Sequence, residues 1–330
     1  MRALCLAKPA PIESDPLTLE DRPVPAPGPG EVLLRVAACG VCHTDLHIVE
    51  GDLTPPRFPL TPGHQVVAEV VQAGAGSDLS PGTRVGVPWL AWACGECSFC
   101  RRGEENLCRR ARFTGFHSDG GFAEHMVAAA PFVLPLPEKL SAVDAAPLLC
   151  AGIIGYRSLR RAELTAGETL GLIGFGASAH LALPIALSWG CRVFVFTRNA
   201  GHRQLALRLG AEWAGGIEQD PPGELDRAVL FAPAGDLVPR ILSRLRPGGT
   251  LAINAVHLSA IPSLSYDRIY DERSLRTVTN ATRRDGHEFL SLAADLGLRP
   301  TVTAYPLQDA NQALADMKHS RLAAAAVLVL

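Results

Sequence analysis

The chain has no surplus of either charge: 31 Lys and Arg stand against 33 Asp and Glu over 330 residues, a net charge of −2. That balance leaves no electrostatic footprint for nucleic acid or an anionic membrane surface. No run of about 18 apolar residues occurs, and the opening MRALCLAKPA lacks a long apolar h-region. Neither a membrane span nor a secretory leader is therefore expected. There is no internal repeat and no low-complexity segment beyond PVPAPGPG at 23–30, read as a surface loop. The length passes the roughly 250–300 residues at which one core stops growing, so two domains are expected.

Cysteine is what the chain does have, and in a pattern. There are nine, and Cys94, Cys97, Cys100 and Cys108 stand at x2, x2 and x7 spacing. Short loops between four thiolates let one segment wrap a tetrahedral ion. An iron–sulfur cluster is disfavoured, because no proline follows the last Cys and no second cluster is present. The plain alternative is four unpaired loop cysteines. Cys42, His64 and Cys150 lie far apart along the chain, each in a context suited to holding one further zinc ion. Three protein ligands leave a position open for chemistry. Such a zinc is formally neutral yet remains a Lewis acid that lowers the pKa of an alcohol oxygen. Thr44 and His47, just after Cys42, are candidates to carry the released proton to water; the alternatives are a loop cap and a surface histidine. The remaining Cys5, Cys39 and Cys191 sit in apolar runs and read as small buried hydrophobes. The whole set suits a reducing compartment, the cytoplasm, better than a disulfide framework.

Residues 1–150 read as β-rich, with EVLLRVAACG, HQVVAEVVQAG and TRVGVPWLAW dense in Val and Leu and broken by Gly and Pro. From about 152 strands and helices alternate: TLGLIG, then ASAHLALPIALSWG despite its Pro184, then CRVFVFT and GHRQLALRLG. DRAVLFA and GTLAINA continue the series, implying a parallel doubly wound sheet of five strand–helix units. After about 282 the pattern leaves that sheet. HEFLSLAADLG reads as a helix, followed by two short strands around another, folding back on the first domain. The turn Gly174-Phe175-Gly176-Ala177-Ser178-Ala179 follows a strand and opens a helix, the setting of a dinucleotide-binding loop. The helix N-terminus there offers free N–H groups and a positive dipole end to a pyrophosphate.

Cys42-His43-Thr44-Asp45-Leu46-His47, the Gly63-His64 step, the four-cysteine lobe and Cys150-Ala151-Gly152 together resemble the zinc-dependent alcohol dehydrogenases of the medium-chain dehydrogenase/reductase superfamily. The resemblance covers essentially the whole chain. It implies an α/β protein with a GroES-like β-barrel catalytic domain (1–151 and 282–330, with the zinc lobe at 94–108). A Rossmann cofactor domain would span 152–281. It implies catalytic zinc on Cys42, His64 and Cys150, and structural zinc on Cys94, Cys97, Cys100 and Cys108. Thr44 and His47 would form the proton relay, Asp45 would orient His64, and His43 and Arg283 would meet the cofactor pyrophosphate. Trp89 would line the substrate pocket, and the protein would be a homodimer or homotetramer.

The departures carry information too. The family's Gly-His-Glu is Gly63-His64-Gln65 here, so no carboxylate is available as a transient ligand and the site is one unit more positive. Ala68 replaces an expected Gly, Thr83 an Asp in a turn, and Ile154 a Thr often found beside the nicotinamide. None removes a zinc ligand. NAD-specific members end the second Rossmann strand with an acid; this chain has Thr197, then Arg198 and Asn199, with Arg203 in the next helix. Without a repelling carboxylate, and with guanidinium groups to pair a 2′-phosphate, NADP is expected to be favoured over NAD. Trp89, Trp92 and Leu53 suggest a mostly apolar pocket for a primary or aromatic alcohol, or the matching aldehyde. A zinc-independent quinone or enoyl reductase of the same superfamily should lack the ligands and the lobe. A non-catalytic structural homologue should have lost ligands or relay.

Overall fold

A computed structural model describes residues 1–322 and 325–330. The chain forms two compact units, Met1–Ile153 with Asn280–Leu330, and Ile154–Thr279.

The first unit is built on the long strand Glu31–Val41, buried along most of its length. Gln65–Ala73 pairs antiparallel with it, Arg84–Val87 continues from there, and Leu134–Pro135 closes that side. His125–Ala129 and Ala325–Val329 also pair with Glu31–Val41, the first against its start and the second against its end. Leu34, Ile48, Leu60, Val66 and Phe122 fill the core without solvent exposure, each contributing about 1.5–3 kcal/mol by leaving water. The C-terminal strand sets Ala326 opposite Val41. The end of Glu31–Val41, where the first candidate ligand emerges, is thus clamped on both edges.

The second unit is a six-stranded sheet, parallel at every pairing. Its order is Trp213–Gly215, Arg192–Phe196, Thr169–Ile173, Leu225–Leu230, Leu245–Ile253, Ser274–Thr277. Thr169–Ile173 is buried throughout, as a central parallel strand covered on both faces must be. The strand order reverses between it and Leu225–Leu230, the switch point at which such sheets bind ligands. Helix Ala177–Ser188 runs through Pro184. The expected alternation of five strand–helix units is incomplete. α-Helices follow the strands ending at Ile173, Phe196 and Leu230, but the connections 216–224 and 254–273 contain none. Pro221, Pro222 and Gly223 interrupt the first, and Pro262 among Ser and Asp residues the second, so neither can sustain helical hydrogen bonding.

One helical stretch, Ala142–Arg161, is long and apolar enough by length and composition to cross a membrane, but 61% of its apolar window is buried within the protein. It ends in Arg157, Arg160 and Arg161 and reads as a core helix.

Candidate metal centres and cofactor cradle

Strand Glu31–Val41 delivers Cys42 to the N-cap of helix His43–Glu50. The thiol accepts the Thr44 N–H at 3.4 Å, and Asp45 Oδ2 accepts the Cys42 N–H at 2.9 Å. This reciprocal cap fixes where the sulfur points. Asp45 Oδ1 meanwhile accepts the Gly63 N–H at 3.2 Å and lies 2.9 Å from His64 Nδ1. Asp45 is 0% and His64 1% exposed. One buried carboxylate therefore ties two distant ligand segments together. With Nδ1–H donating to Asp45, the lone pair falls on Nε2, which lies 3.3 Å from Cys42 Sγ.

Cys150 arrives by a different device. Helix Ala142–Pro147, capped by Ser141, widens into a π-helical turn over Leu148–Gly152. Such turns re-aim side chains and recur at functional sites. The ligand atoms of Cys42, His64 and Cys150 all lie within 4.8 Å of one another. The Cys150 thiol donates to Cys42, holding Cys42 well below the usual thiol range against the opposing effect of burial. The same bond, with burial added, pushes Cys150 well up. Burial disfavours charge on His64, but Asp45 and Cys42 outweigh it and raise the imidazole. Burial raises Asp45, against the pull of His64. Two sulfurs and an imidazole nitrogen converging on one point, with the second ring nitrogen held by a carboxylate, are the donor set and support a zinc ion takes.

The lobe is a closed set. Cys94, Cys97, Cys100 and Cys108 bring their sulfurs within 4.8 Å of each other, with Cys100 3.8 Å from Cys94 and 3.5 Å from Cys97. An Arg110 hydrogen bond, then backbone N–H groups of Glu96 and Cys97, lower the Cys94 thiol to about 5; burial, then its bond with Cys97, raises Cys100 to about 12. All nine cysteines are free thiols, with Cys5, Cys39 and Cys191 buried.

Trp89 meets the His64 ring edge-on, centroids 4.9 Å apart. Trp92 does not join it; it is 37% exposed and lines a separate cavity with Val87, Arg112 and Phe132. The apolar pair suggested by the sequence is therefore split. Trp92 ends the short strand Leu90–Trp92 that Trp89 immediately precedes, and the three-residue spacing sends the two side chains to different faces. Leu53 packs on the barrel core, its N–H bonded to His47 O at 3.0 Å. Thr44 and His47 stand three residues apart, one helical face. His47 Nδ1 lies 2.9 Å from Asp52 Oδ2, a partner that the sequence reading missed although it follows the helix-ending Gly51. Gln65 is buried at the head of its strand. His43 is exposed at the helix start. Arg283 is bound to Glu105 and the Pro131 carbonyl, with its guanidinium 4.6 Å above Phe132.

In the second unit Gly174 adopts φ +88°, and a Cβ there would lie 2.9 Å from Ala232 N. Only glycine makes this turn without strain. Gly176 caps helix Ala177–Ser188, and a Cβ built on it meets nothing within 4 Å. The helix N-terminus therefore faces open space, as a pyrophosphate site requires. Phe175 and Ala179 are buried, while Ser178 is half-buried. At the end of Arg192–Phe196, Arg203 donates to the carbonyls of Thr197 and Arg198, at 2.8 and 3.3 Å. Its guanidinium thus braces the loop. Arg198 itself is exposed.

A doubly wound dinucleotide sheet in one unit, with a three-ligand Cys/His set beside a closed four-cysteine lobe in the other, defines the class: a zinc-type, nicotinamide-linked dehydrogenase. Residues 28–138 match the alcohol dehydrogenase GroES-like domain. The chain is 48% identical to a probable alcohol dehydrogenase, AdhA, of Mycobacterium tuberculosis, across 100% of this chain and 97% of that one. An alcohol dehydrogenase of Geobacillus stearothermophilus is 35% identical over 91% of this chain and 92% of its own. A cinnamyl alcohol dehydrogenase structure from Sorghum bicolor has a TM-score of 0.89 at 27% identity, covering 99% of this chain and 97% of that one. The chain belongs to the zinc-type alcohol dehydrogenases of the medium-chain dehydrogenase/reductase superfamily.

Proposed function

We propose that Cys42, His64 and Cys150 hold the catalytic zinc and Cys94, Cys97, Cys100 and Cys108 a structural one, with NADP preferred to NAD. The observation carrying this is the pair of separate clusters, one of three ligands and one of four. When bound, zinc supplies a Lewis acid to an alcohol oxygen and the nicotinamide a hydride acceptor. The chain's residues do the rest. Asp45 keeps His64 in the tautomer that presents Nε2. Trp89 and Leu53 give the alcohol an apolar flank. Thr44 takes the hydroxyl proton and passes it to His47, whose ring Asp52, 59% exposed, holds at the edge of solvent. Gly174 and Gly176 admit the pyrophosphate to the helix N-terminus. Metal analysis together with a panel of primary and aromatic alcohols and their aldehydes tests the reading. Two zinc ions per chain with turnover supports it; a zinc-free protein that reduces quinones overturns it.

The relay makes its own prediction. Changing His47 to Gln should slow alcohol oxidation most near neutral pH, where losing the proton is hardest, with partial recovery at alkaline pH or with added base. The loss should be on the order of 10²-fold, the low end for a general base, because this group sits at the far end of the relay. An unchanged pH–rate profile would remove His47 from the path.

The cofactor preference rests on Arg198, exposed beside a strand end that carries no carboxylate. An Arg198→Ala variant should lose about 10-fold or more in kcat/KM for NADP, the cost of a charge-assisted contact, while NAD is little affected. Strong NAD preference in the wild type, unmoved by the substitution, would refute it.

A homodimer or homotetramer is supported by the second unit's surface. Ser274–Thr277 is an edge strand, and the segment before it exposes Val256 at 79%, Tyr266 at 71% and Tyr270 at 66%. Unpaired edges flanked by apolar side chains are surfaces that proteins cover. Nine cysteines with no disulfide among them support a reducing, cytoplasmic setting.

A further inference from the structure

The lobe is an insertion between two short strands, Leu90–Trp92 and Arg112–Phe113, which pair antiparallel with Leu90 opposite Phe113 and Trp92 opposite Arg112. Leu90 and Phe132 form the lobe's small apolar core with Ala93 and Cys108, and Phe113 packs against it. Trp89 belongs to the other core, that of the barrel. The two meet where the Phe113 ring lies flat on the Trp89 indole, centroids 4.9 Å apart and planes 9° from parallel. That indole also meets the His64 ring, at 4.9 Å and 74°, and, more loosely, the Phe116 ring at 6.0 Å and 44°.

The backbone around this stack is pinned. Thr114, 1% exposed, donates its N–H to Trp89 O at 2.9 Å and its hydroxyl to Pro88 O at 2.8 Å. His117 accepts the Phe113 N–H on Nδ1 at 3.1 Å and returns its own N–H to Phe113 O at 2.9 Å. Phe116 packs edge-on against His117, centroids 4.8 Å apart.

We infer that the four-cysteine lobe positions Trp89 beside His64 through the Phe113 stack, making Phe113 a positioning residue for substrate selection. The lobe fixes the register of the two strands, the strands fix the stack, and the stack fixes the indole plane that flanks the metal ligand. This rests on the reading above that Trp89 borders the substrate. A flat aromatic alcohol would feel the indole plane, whereas ethanol is too small to reach far along it. Removing a stacked aromatic partner therefore costs an aromatic alcohol about 2- to 10-fold in KM.

The test compares wild type, Phe113→Leu and Phe113→Tyr in the zinc-loaded enzyme, with benzyl alcohol and ethanol as substrates. Hydrogen exchange is measured in parallel over residues 88–92 and 112–118. Phe113→Leu should raise KM for benzyl alcohol by the stated factor, with kcat and the ethanol KM within about twofold, and should speed exchange in both segments. Phe113→Tyr, which keeps the ring, should restore both. If Phe113→Leu does not fold, His117→Ala, which removes both the ring packed 5.5 Å from Phe113 and the acceptor of its N–H while leaving the Phe113–Trp89 pair itself in place, should show the same split. A folded Phe113→Leu enzyme with unchanged benzyl alcohol KM, or one altered equally for both alcohols, overturns the inference and leaves the dehydrogenase reading intact. A wild type that oxidises neither alcohol and binds no zinc overturns both.

Discussion

Replacing Cys150 with Ala should lower alcohol oxidation by on the order of 10³-fold or more, since a bound metal is worth several kcal/mol to the developing charge. One zinc per chain should remain, in the lobe, and the fold should survive. Cys150 is the informative ligand to remove because of how each is held. Cys42 also caps helix His43–Glu50, so its loss would cost on the order of 1 kcal/mol of helix stability as well. His64→Ala would strand Asp45, buried at 0% exposure, without its partner, at a cost of several kcal/mol. Cys150 sits inside a helical stretch, where Ala is the best-tolerated residue. Zinc content, a thermal melt and turnover, measured together, check the outcome. A Cys150→Ala enzyme with normal turnover would remove that residue from the metal site.

Changing Cys100 to Ala should act on stability first. The lobe contains a four-residue helix, Ser98–Arg101, and one two-stranded ladder. Neither can stand alone, because a single helical turn is below the length that repays nucleation. Its apolar core has only four buried residues, Leu90, Ala93, Cys108 and Phe132. On the proposed reading the four thiolates hold the segment through a zinc ion, whose binding free energy would be folding free energy. The loss should reach about 4 kcal/mol or more, the range reserved for a lost metal, lowering the first unfolding midpoint by ~8 °C or more. Below that midpoint the catalytic zinc should stay bound and kcat should change little. A melt indistinguishable from wild type would show that the cysteines are ordinary loop residues. Zinc measured before and after mild chelation separates the two sites.

The elements most legible in the sequence were those whose signal is local. Four cysteines within fifteen residues are close because the chain between them is short, so the lobe's spacing alone implies its clustering. The strand TLGLIG is continuous in apolar residues because it is covered on both faces, and Gly174 follows it because the turn forbids a side chain there. The alternation breaks where the strands are clear but the connections are not. Pro221, Pro222 and Pro262 stop helices that the apolar pattern of the flanking strands alone would imply.

Convergence was not local. Cys42, His64 and Cys150 are brought within 4.8 Å by a strand end, a buried carboxylate and a π-helical turn, and the last has no sequence period. That Asp52 holds His47, that Arg203 is spent on backbone carbonyls, and that Trp89 meets the His64 ring while Trp92 lines a cavity without it depend on side-chain direction. Residue types and spacings specify which groups a chain owns and which short segments can close on themselves. Which distant groups meet, and which faces they present, is settled only when strands pair in register, because a one-residue slip sends every side chain to the opposite face.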